Sequence, residues 1–153
     1  MSGNYPQTVV EILDPELLFP PNVLQAVARF AASGPWRGTQ EERKQKFRDL
    51  NRALSDAQRL PEPDLTFGQL DGFFSGQSRY LPAQRRIVLS GKLSVVTFLH
   101  EFAHALGMDE REACRWSVNL FRKSFPIQFG RLVQVGHTLI RAADVPRSST
   151  RTP

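Results

Sequence analysis

From Leu93 to Leu106 the chain is apolar at every position except Ser94, Thr97, His100, Glu101 and His104. A run of that length exceeds an ordinary strand and reads as a buried helix, closed by Gly107. Glycine ends helices in the left-handed conformation at low steric cost. A helix that is apolar around most of its circumference must be covered by the rest of the molecule, so this segment organises the fold.

The covering elements can be read on either side. Asp109 opens a second helix, DEREACRWSVNLFRKSF, which stops before Pro126, and a last helix is expected over roughly 129–143. Toward the N-terminus, Asp14-Pro15-Glu16 has the form of a helix start, and the apolar stretch Val9 to Leu13 could dock on the body of the domain. Asn22 leads into VLQAVARFAASG, where Val23, Ala26, Val27 and Phe30 follow helical spacing and Gly34 marks the stop. Thr39 caps a helix running to about Leu60, with Phe47, Leu50 and Leu54 on one face. Glu42, three residues on, completes a capping box. Between Pro61 and Ser90, prolines and glycines punctuate LTF at 65–67, FF at 73–74 and RIVLS at 86–90, the marks of short strands. The expectation is one α+β domain over 1–145, mainly helical with a small sheet, followed by a polar tail at 146–153.

Composition narrows the setting. Cys114 is the only cysteine among 153 residues, which excludes an internal disulfide and favours a reducing, cytoplasmic environment. Neither a secretory signal nor a membrane-length apolar run is visible. The net charge of +5 comes from Lys and Arg spread along the chain, without the dense or aromatic-interleaved clusters of a nucleic-acid surface. A solvated basic exterior is the simpler reading, and nucleic-acid contact is the alternative.

The polar interruptions of the central helix form His100-Glu101-Phe102-Ala103-His104, an H-E-x-x-H pattern. Residues four apart lie one above the other on a helix, so both imidazoles can reach one metal ion, and zinc suits such ligands. Glu101, about 100° further round, would stand beside the ion as general base toward a metal-activated water. Only three histidines occur in the chain and two are here. Two histidines and a glutamate in an apolar helix are costly to bury without a purpose, and a metal explains all three.

A catalytic zinc takes a third protein ligand. Asp109, Glu110 and Glu112 are all near enough in sequence. Glu110 falls where the longer H-E-x-x-H-x-x-G-x-x-H pattern has its last ligand. Glu112 lies in the first turn of the second helix, from which it can face back to His104, and spacing favours it. Asp109-x-x-Glu112 is at the same time a capping box.

HEFAH followed by EREACRWSVNLF resembles the ImmA/IrrE family of zinc metallopeptidases, whose motif is followed by a helix of form E-x-E-A-N-x-F-A-x-x-L. The likeness covers roughly residues 40–126. Cys114 stands where Asn is usual, Trp116 where Phe is common, and the interval from His104 to Glu112 is shorter than usual. The resemblance implies a zincin-like fold, zinc on His100, His104 and Glu112, Glu101 as catalytic base, and hydrolysis of a peptide bond in a protein or peptide substrate, a regulatory protein among them. The rival expectation is a metal-bearing regulatory or interaction module that cleaves nothing. Lesser candidates are RIVLS as an edge strand for substrate, and Tyr80 or His137 as stabilisers of transition-state charge. Trp36 and Trp116 read as core or groove residues. Cys114 has no local partner that would make it a nucleophile.

Overall fold

A computed structural model of the chain describes residues 12–68, 78–91, 93–135 and 138–141. The fold is α+β and mostly helical. Helix α1 spans Pro21–Ala32, with proline in its first turn, and α2 spans Gln40–Gln58. Strand β1 is Asp64–Gly68, β2 is Arg79–Leu81 and β3 is Arg86–Ser90, with a turn of 3₁₀-helix at Pro82–Gln84 between the last two. Helix α3 is Val95–Ala105, α4 is Glu110–Ser124 and the single turn α5 is Pro126–Phe129. Strands β4, Leu132–Val135, and β5, Thr138–Arg141, form an antiparallel pair of their own.

Local chemistry accounts for the helix ends. Thr39 accepts from the Glu42 N–H while the Thr39 N–H donates to the Glu42 carboxylate, so the capping box expected for α2 is formed. Ser94 caps α3 by accepting from the Thr97 N–H. At its other end the Met108 N–H reaches the Ala103 carbonyl and the Gly107 N–H reaches the His104 carbonyl, the double closure of a Schellman motif. Gly107 has φ 95° with open space around its missing side chain, so the backbone conformation alone demands glycine there.

The core is a single cluster built on α3. Val95, Phe98, Leu99, Phe102 and Ala103 are buried, as are Phe47, Leu50 and Leu54 of α2, Val23, Val27 and Phe30 of α1, and Ala113, Leu120 and Phe121 of α4. Rings run through it edge to face from Phe30 to Phe47 to Phe98, while Phe102 stacks on Trp116. The other tryptophan, Trp36, is 40% exposed and meets Phe125 edge to face.

The residues before α1 are tied to α4. Asn119 donates to the Ile12 carbonyl and accepts from the Asp14 N–H, and Arg115 pairs with Asp14. Asp14 forms a hydrogen-bonded turn to Leu17, and the helix expected from Asp14 does not develop. Pro20 and Pro21 explain this: the second proline is accommodated as the first residue of α1, and a helix already running could not pass through the pair.

Two expectations about strands are corrected. RIVLS forms β3 with the boundaries read from sequence, but the sheet order is β1-β3-β2. β1 pairs parallel to one side of β3 and β2 antiparallel to the other, so β3 is central and offers no edge. Burial of Ile87 and Leu89 against α3 fits that position. The last helix is replaced by α5 and the β4–β5 pair. Val133, Val135, Thr138 and Ile140 are β-branched and favour extended chain in these two segments. The strand at 73–74, His137, most of the Val9–Leu13 stretch and the tail at 146–153 lie outside the described residues. Among the described residues, no helix is long and apolar enough to cross a membrane.

Candidate metal centre

His100, Glu101 and His104 all lie on α3, on the side that faces the start of α4 and the sheet. The two imidazoles stand at right angles with Nε2 atoms 3.2 Å apart, as the four-residue spacing predicts. The Schellman closure has a direct effect here. It turns the Met108 carbonyl back toward α3, where His104 Nδ1 donates to it at 2.9 Å. A carbonyl can only accept, so Nδ1 carries the proton and the lone pair of the neutral ring is on Nε2, the atom facing His100.

The acidic partner of this pair is Glu110. Its carboxylate oxygens lie 3.3 and 3.2 Å from His100 Nε2, and one of them lies 3.1 Å from His104 Nε2. Glu112, expected as the third ligand, is engaged elsewhere. Its carboxylate accepts from the Asp109 N–H at 3.0 Å while its own N–H donates to Asp109. The physical reason is helix phase. Asp109 is the N-cap, Glu110 is the first helical residue and Glu112 the third, so their side chains leave the axis about 200° apart. The capping box holds the third, and the first falls over α3. Asp109 serves only as the cap.

Glu101 is nearly buried, 9% exposed. Burial raises its pKa above 4.5, against the lowering pull of His100 and His104. The Tyr80 backbone of β2 adds the smallest lowering pull on Glu101, where sequence suggested the Tyr80 side chain. The Glu110 carboxyl is held well below the usual carboxylate range, first by its hydrogen bonds to His100 and His104. His104 is raised above 6.5, chiefly by Glu110.

Cys114, one helical turn after Glu110, closes the far side. Its sulfur lies 3.8 Å from His100 Nδ1 and donates to Glu110 Oε2 at 3.7 Å. Burial, and then the Glu110 charge, pushes the thiol up to about 12. His100, Glu110 and Cys114 offer donor atoms within 4.8 Å of one another and could hold a metal ion. His104 Nε2 approaches Glu110 Oε1 and His100 Nε2, at 3.1 and 3.2 Å, more closely than the sulfur approaches either residue. The two nitrogens and the Glu110 carboxylate are thus the tighter set.

These shifts predict a pH profile for chelator-treated protein. Glu110, lowered on folding, stabilises above its ordinary 4.5 and loses that contribution as acid protonates it. His104, raised on folding, stabilises below 6.5 and loses its contribution as pH rises through its folded value. Glu101, raised by burial, also costs stability once it must ionise above 4.5. The urea midpoint should therefore be lower at about pH 8.5 than at about pH 5.5. A midpoint that rises over that interval would contradict the assignment.

Compared with models of known protein families, with curated proteins and with solved structures, the chain matches none of them.

Proposed function

We propose that this chain is a zincin-like, zinc-dependent peptidase in which His100, His104 and Glu110 hold the ion and Glu101 moves the proton. The observation that carries the reading is the convergence of two imidazole nitrogens and a carboxylate within 3.1–3.3 Å, from two helices, beside a buried glutamate that is not among them. When bound, the ion would supply Lewis acidity toward the scissile carbonyl and lower the pKa of the attacking water. The chain's own groups do the rest. Glu101, whose pKa burial raises, can take a proton from the water and deliver it to the leaving amine nitrogen. Met108 fixes the tautomer of His104, and Glu110 keeps a full negative charge between the two rings.

The likeness to the ImmA/IrrE family supports a protein or peptide as substrate, with a regulatory protein the first class to try. With Glu110 as third ligand, the first of the two glutamates in E-x-E takes the role assigned to the second. A peptide could add as a strand to β2, which pairs with β3 on one side only among the described residues and lies against α3.

The test is cleavage of a mixed quenched-fluorophore peptide library by protein of known zinc content. Cleavage should disappear on chelation and return with zinc. Protein that neither retains zinc nor cleaves any peptide in a chelator-sensitive way would reject the reading.

A further inference from the structure

We infer that Cys114 is a positioning residue for the metal centre, with its sulfur acting as the outer hydrogen-bond partner of both His100 and Glu110. The inference rests on the reading of His100, His104 and Glu110 as ligands.

A histidine that binds a metal through one nitrogen is oriented by what its other nitrogen meets. For His104 that partner is the Met108 carbonyl at 2.9 Å. For His100, among the described residues, it is the Cys114 sulfur, 3.8 Å from Nδ1. The sulfur also donates to Glu110 Oε2 at 3.7 Å. A proton on Nδ1 pointing to sulfur and the thiol proton pointing to Oε2 form a short chain, His100 to Cys114 to Glu110. That chain leaves His100 Nε2 and the other Glu110 oxygen turned toward His104.

The placement follows from sequence spacing: Glu110 and Cys114 are four residues apart on α4, on the face that meets α3. The sulfur lies on the Nδ1 side of the His100 ring, whereas Glu110 and His104 meet Nε2, so it stands outside the ligand set rather than in it. Cys114 is 1% exposed and packed among core residues, which holds the sulfur where it is.

The experiment measures zinc affinity by competition with a chromophoric chelator for the parent protein, Cys114→Ser and Cys114→Ala, alongside urea midpoints of the chelated proteins. It is joined by the absorption spectrum of the cobalt-loaded parent protein. Cys114→Ala should bind zinc ~10–100-fold more weakly, the usual cost of losing an outer partner. Cys114→Ser, whose hydroxyl can accept and donate, should recover most of that loss even if both variants share a lowered midpoint. The cobalt spectrum should lack a sulfur-to-metal charge-transfer band.

Equal affinity in the parent and Cys114→Ala, or equal loss in Ala and Ser, would overturn the positioning role while leaving the metal centre in place. A charge-transfer band that vanishes in Cys114→Ser would overturn it by making the sulfur a ligand. Failure of the parent protein to bind zinc at all would overturn both this inference and the reading beneath it.

Discussion

Replacing Glu101 by Gln should reduce peptide cleavage by ~10²–10⁴-fold while leaving zinc content unchanged. The amide has the shape of the carboxylate but cannot take a proton from water. Zinc should remain because the ligand atoms belong to His100, His104 and Glu110 and not to Glu101. Stability should not fall either. The folded protein raises the Glu101 pKa chiefly by burial, so ionising it there works against folding, and an uncharged isostere removes that opposition. Metal analysis, a urea midpoint and a cleavage rate on one preparation decide the matter. Unchanged cleavage would remove Glu101 as the base, and lost zinc would place it among the ligands.

The parts of this arrangement that sequence reveals are those set by short-range periodicity. His100 and His104 must share a face of any helix through them, and the apolar run from Leu93 to Leu106 leaves no regular alternative to a helix. The caps at Thr39, Ser94 and Asp109 are local chemistry, and two of them are legible as capping boxes. RIVLS is legible because β-branched and aliphatic residues bounded by Arg86 and Gly91 have little choice at that length.

What sequence does not reveal depends on partners distant along the chain. Whether β3 is central or at an edge depends on which strands pair with it, and β1 and β2 lie on opposite sides in an order no local pattern encodes. The Tyr80 backbone influences Glu101 because β2 lies beside α3, a consequence of that same order. The choice between Glu110 and Glu112 is intermediate. Both facts needed were local: Asp109 and Glu112 form a capping box, and a capping-box glutamate is folded back on its own helix end. A side chain committed to the N-cap N–H is no longer directed at a neighbouring helix, so recognising the box as formed removes Glu112 and leaves Glu110.

That distinction carries the second large effect. Glu110→Ala should weaken zinc binding by more than the ~10–100-fold expected for loss of an outer partner, because a ligand is gone and the two imidazoles lose the anion between them. Glu112→Ala should keep its zinc. Its cost should appear in the urea midpoint instead, at ~0.5–2 kcal/mol, because the Asp109 N–H loses its acceptor and α4 loses half of its capping box. The two variants remove the same group from positions two residues apart, so charge and composition are matched and only helix phase differs. The reverse outcome, zinc lost with Glu112→Ala and kept with Glu110→Ala, would require the capping box to open and α4 to present its third residue to the histidines. Glu110→Gln refines the result. The amide keeps one oxygen near His104 Nε2 but not the charge, so binding intermediate between Glu110→Ala and the parent would show that the carboxylate contributes by charge as well as by position.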